Sequence, residues 1–293
     1  MPKHIQHFIE YAGLRTLEFI MRALPRTAAI GLGSAIGRLL YISGIYRQIV
    51  KTSMMHTGVW NDSQISDITK KLYRNIGRYF ADYLHASSKD DFPHTVSGET
   101  VVEDLRTQNK GIICVMAHFG AWEALAYMFD TARYPLGVVV MPMSNPRVEK
   151  WLAAKRKLSG MTLVYKHQAV REIVRKMRRN ESVAILTDQN AAGRGPDIPF
   201  LGKDAPTYDT VPGLMRSLQC PYMYAYAILD NSNRYTIHFE KGRDLAISDV
   251  SPEEYIRSYL TEQNNVISGW IIKYPEHYFG WFHKRWSIEY PRP

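Results

Sequence analysis

The chain has 293 residues, 45% of them hydrophobic, a formal net charge of +9 and a pI near 9.4. That length suits one large α/β domain with terminal additions and a sizeable core. The basic balance fits an anionic membrane surface, an acidic protein partner or nucleic acid, and the absence of any RNA- or DNA-reading motif ranks nucleic acid last.

Residues 5–24 read as an amphipathic helix ended by Pro25. Ile5, Phe8, Ile9, Ala12, Phe19, Ile20 and Ala23 gather on one side, and His7, Arg15, Glu18 and Arg22 on the other. Residues 27–46 are apolar except for Arg38 and a few hydroxyls, and Gly33 and Gly37 form a G-x3-G pair suited to close helix packing. The stretch reads as an interfacial or partly inserted hairpin of two helices. Arg38 argues against a clean span, at roughly 2.5–3.5 kcal/mol on insertion scales. No run of about eighteen uninterrupted apolar residues occurs, and the start lacks the series expected of a cleaved signal. Residues 1–60 are therefore expected to form a helical, membrane-associating region, and 61–293 an α/β domain.

Residues 63–86 predict a third helix with Asn61, Asp62 or Ser63 as cap. Residues 88–98 read as a polar loop, and Thr100 to Gln108 as a short helix. The apolar run Ile112 to Ala117 after Lys110-Gly111 reads as a buried strand, and Ala121 to Phe129 as a helix. Strands follow at Pro135–Met141, Thr162–Tyr165 and Ser182–Thr187, alternating with helices at Pro146–Leu158 and 167–179. A helix at 209–218, a strand at 221–229, an antiparallel partner at 234–240 and a long helix at 251–273 complete the chain. Ser251 caps the last helix, with Pro252 in its first turn. The alternation predicts an α/β fold with a mostly parallel or mixed central sheet flanked by helices. Cys114 and Cys220 lack metal-ligand or CxxC spacing and read as buried thiols in a reducing compartment.

The chemistry concentrates where the first buried strand ends. His118 and Glu123 spell His-x4-Glu. A neutral imidazole at a strand's carboxyl end is placed to take a proton from an alcohol, and a carboxylate on its other nitrogen would hold the tautomer. Residues five apart on one helix lie about 140° from each other, so the pair meets only if His118 stays outside the helix, which Gly120 permits. The alternative reading is a strand-end histidine beside an unrelated surface glutamate.

The surrounding motifs resemble those of the bacterial lysophospholipid and lipid A late acyltransferases, the lauroyl and myristoyl transferase family, whose hallmark is His-x4-Asp/Glu. MSNPRVEKWLAAKRKLSG at 143–160 resembles the family's Asn-Pro segment and its arginine-bearing helix. LTDQNAAGRGPDIPFLGKDAPT at 186–207 resembles its Asp-Gln block, Gly-rich turn and Phe-x-Gly-x-x-Ala-x-Thr tail. YPEHYFGWFHKRWSIEYP at 274–291 resembles its closing signature, and the likeness runs over roughly residues 10 to 291.

The resemblance implies transfer of a fatty acyl chain from a thioester donor, acyl carrier protein or acyl-coenzyme A, to a hydroxyl of a lipid acceptor. His118 is expected as general base and Glu123 as its orienter. Arg156, whose planar guanidinium suits phosphate, carboxylate or a developing oxyanion, is expected to bind substrate, the alternative being a solvated basic face beside Lys155 and Lys157; Asp188, Gln189 and Asn190 suit either substrate binding or a turn built from turn-forming residues. Asp197 is a further candidate, because some relatives carry an acidic residue near this point that pairs with the histidine. The glycines Gly193, Gly195 and Gly202 with Thr207 suit either a backbone-amide nest or a flexible loop. Arg171, Arg175 and Arg178 form a basic stripe suited to an acidic carrier protein, to anionic lipid, or simply to solvent. Trp281, His283, Arg285 and Trp286 suit an aromatic-cationic patch at the membrane interface or packing of the tryptophans, and His283 is a second candidate base.

No metal or cofactor is expected. The expected acceptor is a lipid A precursor, with a glycosylated phosphatidylinositol or another lyso-lipid as alternatives. The expected location is the cytoplasmic face of a bacterial inner membrane. A thioester hydrolase and a non-catalytic membrane-surface binding protein are the rival functions.

Overall fold

The computed structural model describes residues 2–243 and 250–291, with Lys89 described by its backbone alone. Four helices lead the chain: α1 (Lys3–Ala23), α2 (Arg26–Ser43), α3 (Arg47–Thr57) and α4 (Asp62–His85). The α/β part follows as β1 (His94–Ser97), α5 (Glu99–Arg106), β2 (Ile113–Met116), α6 (Trp122–Met128), β3 (Leu136–Val140), α7 (Pro146–Lys157), β4 (Thr162–Tyr165), α8 (Ala169–Met177) and β5 (Ser182–Leu186). A two-stranded hairpin, β6 (Asp197–Phe200) and β7 (Lys203–Pro206), precedes α9 (Thr210–Leu218), β8 (Tyr222–Leu229), β9 (Tyr235–Lys241) and α10 (Pro252–Lys273).

The main sheet has seven strands in the order β1-β9-β8-β2-β5-β3-β4. β2 pairs in parallel with both β5 and β8, β3 with β4 and β5, and β9 runs antiparallel to β8. The expected mixed, mostly parallel sheet is therefore present, with 235–241 as the antiparallel partner. The 88–98 segment differs from the expected loop, because His94–Ser97 pairs in parallel with β9 at the sheet's edge. Residues 197–206 likewise form a hairpin where a Gly-rich turn and tail were read.

β2 sits between parallel neighbours with all four residues buried. Its side chains alternate as a strand's must. Ile113 and Val115 join the core cluster that holds Ile173, Leu260 and Trp270, whereas Cys114 and Met116 join the one that holds Leu125 and Ile237. Both cysteines are buried and free. The connection from β2 leads to β3 on one side, and the connection from β5 leads to β8 on the other. Adjacent strands whose crossovers depart in opposite directions open a crevice at their carboxyl ends, where α/β folds place ligands.

α2 and α4 pack through glycine. A Cβ on Gly33 would lie 2.2 Å from the Gly77 carbonyl oxygen, and one on Gly37 would lie 2.1 Å from that of Tyr73. The G-x3-G pair thus serves a close contact within the chain. α2 is one continuous helix, and α3 leaves it at 82°, so residues 27–46 do not form a two-helix hairpin. No single described helix is long and apolar enough to cross a membrane, although the bent α2–α3 pair passes that test jointly.

α1 docks through Glu18 and Met21, with Leu14 and Leu17 packed beside them, and leaves most of its larger apolar side outward. Glu18 is 4% exposed, whereas Phe19 is 75%, Phe8 56% and Ile9 54% exposed. The Glu18 carboxylate accepts from Arg15 at 2.7 Å and from the Trp151 indole at 2.9 Å, and it pairs with the buried Lys155 ammonium at 3.7 Å. Burial pulls Lys155 down to about 8. Asn145, the cap of α7, donates to the His7 carbonyl at 2.9 Å and to Glu10 at 2.8 Å. An unpaired buried carboxylate would be costly, so these partners fix which face of α1 docks.

Candidate active site

The site is built at the end of β2. Backbone bonds hold His118, Phe119 and Gly120 out of the following helix. Phe119 N–H donates to the Ala117 carbonyl at 2.7 Å, and Ala121 N–H to that of Ala227 at 2.8 Å. The carboxy-terminal segment lies against the same loop. Phe279 N–H donates to the His118 carbonyl at 2.7 Å, and Gly120 N–H donates to that of His277 at 2.8 Å. Gly120 has φ +60°, and a Cβ there would meet the Ala227 carbonyl oxygen at 2.0 Å. Only glycine fits this bend, which keeps His118 at the strand end.

The histidine's carboxylate partner is Asp188, on the loop after the adjacent strand β5. Its Oδ1 lies 2.9 Å from His118 Nδ1, and its Oδ2 accepts the His118 backbone N–H at 3.1 Å. The Asp188 side chain is fully buried, while the His118 side chain keeps 19% exposure. Burial alone would lower the His118 pKa; the Asp188 charge and hydrogen bond, with a smaller contribution from Glu123, outweigh it and leave the pKa raised. For Asp188, burial pushes upward, but the His118 ring and backbone N–H, with His283, hold the carboxyl below its usual range.

Glu123, expected to orient His118, makes its hydrogen bonds elsewhere among the described residues. It stands in the first turn of α6 and turns toward α7, where Arg156 Nε donates to its Oε2 at 3.0 Å and an Arg156 terminal nitrogen to Oε1 at 2.5 Å. This two-pronged pairing suits a guanidinium and occupies both carboxylate oxygens. Asp188, read as a substrate-binding or turn residue, is instead committed to the histidine. Arg156 is expected on substrate; its Nε and one terminal nitrogen face Glu123, and its pKa is raised because the Glu123 bonds and charge outweigh the effect of burial. Glu123 and Arg156 keep 24% and 13% side-chain exposure, so the pair reaches the solvent side of the crevice.

Gln189 follows Asp188 and is partly exposed. Asn190 builds the turn, donating to the Arg285 carbonyl at 3.0 Å and accepting from the Ala192 N–H at 2.6 Å. Asp197 does not pair with the histidine; it is exposed on β6 and lines a separate cavity. The residues at 281–286 are not an interfacial patch, since Trp281, Arg285 and Trp286 are at most 2% exposed. The Arg285 guanidinium donates to the Pro206 carbonyl and, at 2.8 Å, to Thr207 Oγ1, pinning the hairpin from inside. Arg171, Arg175 and Arg178 are exposed, and Arg175 pairs with Glu172.

Aromatic rings enclose the histidine. Its ring centroid lies 5.5 Å from that of Trp122 and 5.1 Å from that of His283. Trp122 packs on Phe279 at 4.8 Å, and Phe279 on Phe282 at 5.3 Å, so an apolar wall continues from the site toward the α2–α3 corner, where Tyr46 meets Phe282. Burial lowers the His283 pKa, and the neighbouring His118 lowers it further. His277, which the sequence reading passed over, is held by Tyr79, whose hydroxyl is hydrogen-bonded to its Nδ1 at 2.6 Å and accepts the Leu229 N–H at 3.2 Å. Burial takes the His277 pKa down to about 4, so the ring is neutral in the clamp over the His118 loop.

A buried carboxylate, an orienting hydrogen bond and a reachable imidazole at the switch point of an α/β sheet are the parts of an acid–base site. The sequence model of the bacterial lipid A biosynthesis acyltransferase family matches residues 2–287, and the chain belongs to that acyltransferase family. No curated protein sequence matches it.

Proposed function

We propose that the protein transfers a fatty acyl chain from an acyl-carrier-protein or coenzyme A thioester to a hydroxyl of a lipid A precursor. The observation that carries the reading is His118, tied through Nδ1 to a buried carboxylate while its ring stays open to an aromatic-lined crevice. With the Nδ1 proton held by Asp188, Nε2 carries the lone pair. It takes the acceptor's hydroxyl proton as the oxygen attacks the thioester carbonyl carbon. The tetrahedral intermediate then expels the thiolate as the C–S bond breaks, and the proton on Nε2 goes to the departing sulfur. Arg156, aligned by Glu123, supplies positive charge to the oxyanion or to a substrate phosphate.

The test is a product analysis by mass of the protein with a carrier-protein thioester, a coenzyme A thioester and a lipid A precursor. Acylated lipid is expected only when donor and acceptor are both present. Free fatty acid released equally well without acceptor would instead identify a thioester hydrolase. Acylation of a glycosylated phosphatidylinositol but not of the lipid A precursor would move the acceptor class.

We also propose that the protein works at the cytoplasmic face of the inner membrane, with residues 1–60 as its membrane-associating region. The exposed Phe8, Ile9 and Phe19 on the outward face of α1 support this, since they are left for an apolar surface. The net charge of +9 suits anionic lipid. Phe8→Ser with Phe19→Ser is expected to weaken sedimentation with anionic vesicles by about a hundredfold, given the apolar burial lost. Unchanged sedimentation would remove α1 from the membrane contact.

A further inference from the structure

One buried ion pair takes no part in the proton transfer and stands beside a residue that does. Lys155 immediately precedes Arg156 on α7, and it is 5% exposed where a solvated basic face would leave it in water. Its ammonium donates to the Ala86 carbonyl at 2.5 Å and to the Leu84 carbonyl at 3.2 Å, and it pairs with the Glu18 carboxylate of α1 at 3.7 Å. Ala86 is the C-cap of α4, so the charge sits at the negative end of that helix, on carbonyls the helix itself leaves open.

Helices α1, α4, α6 and α7 meet at this lysine. The ammonium joins α4 to α1, and the Lys155 backbone carbonyl accepts from the Tyr127 hydroxyl of α6. Trp151, one turn earlier on α7, donates to the same Glu18 at 2.9 Å and packs against the core clusters that hold Met21 and Leu125. The Tyr83 ring lies 5.5 Å from the ammonium and 6.0 Å, edge-on, from the Tyr127 ring. Burial, then the Glu123 charge, pushes the Tyr83 phenol well up, so the same ring lies within electrostatic reach of the Glu123–Arg156 pair. α6 carries Glu123 and α7 carries Arg156, so the spacing behind their two-pronged bond is set where those helices are tied together. A buried ion pair adds little stability, because taking two charges out of water costs about what their attraction returns. What this one supplies is position.

We propose that Lys155 is a positioning residue for Arg156 and that Glu18 holds it there, so that the docking of α1 sets the arginine of the active site. The helix that turns Phe8, Ile9 and Phe19 outward thereby braces the catalytic centre from its inward side. The link to catalysis rests on the acyltransferase reading, whereas the placement of Arg156 is measured apart from turnover.

The experiment joins a double-variant cycle of transfer kinetics, on Glu18→Ala, Arg156→Ala and their combination, to the Arg156 Nε–H resonance of the ¹⁵N-labelled full chain. That resonance is assigned by its loss in Arg156→Lys. Rates are read in detergent micelles, so that weaker vesicle binding cannot mimic the effect. Glu18→Ala is expected to lower kcat/KM by about tenfold to a hundredfold, the range for a group displaced by about 1 Å. It should shift the Nε–H resonance and have no further effect once Arg156 is alanine. Glu18→Gln still accepts from Trp151 and Lys155, and should restore most of the rate and the parent resonance. If Glu18→Ala does not fold, Trp151→Phe, which removes one donor to the same carboxylate, takes its place with a smaller effect in the same direction. A parent-like rate and resonance, or a loss undiminished in the Arg156→Ala background, would overturn the proposal and leave Glu18 and Lys155 a role in folding alone. A shifted resonance in a protein that transfers no acyl chain would overturn the enzymatic reading and keep the brace; transfer at a rate that ignores Glu18 would do the reverse.

Discussion

Asp188→Asn is expected to lower kcat by about a thousandfold to ten-thousandfold, close to the loss on His118→Ala, with little change in substrate binding. The geometry gives the reason. Asp188 presents two acceptor oxygens to two N–H groups, the His118 backbone and Nδ1. An asparagine offers one acceptor and one donor in the same place. Its oxygen must take the backbone N–H, because the amide NH₂ would oppose it there. The NH₂ then donates to Nδ1 and drives the ring proton onto Nε2, where the base is needed. His118→Ala with Asp188→Asn should be no slower than His118→Ala alone, since the two act as one unit. Single-turnover transfer with the melting temperature as a control measures this. A variant Asp188→Asn within tenfold of the parent would contradict the pairing.

Arg156→Ala is expected to lower kcat/KM by about a hundredfold to a thousandfold, the range for losing a group that meets developing negative charge. It also leaves Glu123 partly buried without its partner. Arg156→Lys should not restore the rate, because one ammonium cannot satisfy both carboxylate oxygens and still face substrate. Glu123→Ala should slow transfer through loss of Arg156 alignment, and the double variant should be no worse than Arg156→Ala. Steady-state kinetics on the four proteins form the cycle. Full activity in Arg156→Ala beside an inactive Glu123→Ala would return Glu123 to the histidine.

Much of the frame was legible in the order of apolar runs and breakers. The buried run before His118, the alternating strands and helices, the capped last helix and the antiparallel return near 235–241 all follow from local pattern. The misses at the site and on α1 share a cause, which is that the deciding contact is distant in sequence. His118 and Asp188 are 70 residues apart and meet only because β2 and β5 are neighbours, whereas Glu123 is near in sequence and points elsewhere. Amphipathicity told that α1 has two faces but not which one docks, and that was settled by Trp151 and Lys155, well over a hundred residues away. β1 escaped because it is four residues long with three of them exposed. The β6–β7 hairpin escaped because prolines and glycines mask its alternation.

The most direct measurement of the central claim is kcat/KM against pH, from about pH 5 to 9, for the parent, Asp188→Asn and Glu123→Gln. The sign follows from the raised His118 pKa. Protonated His118 cannot act as base, so the parent rate should fall on the acid side through one ionisation above the ordinary histidine value. Asp188→Asn should lose that step along with the base, and Glu123→Gln should move it only slightly downward in pH, because its charge makes the smaller contribution. A parent profile without such a step, or a step that follows Glu123 and ignores Asp188, would contradict a histidine base held by the buried aspartate.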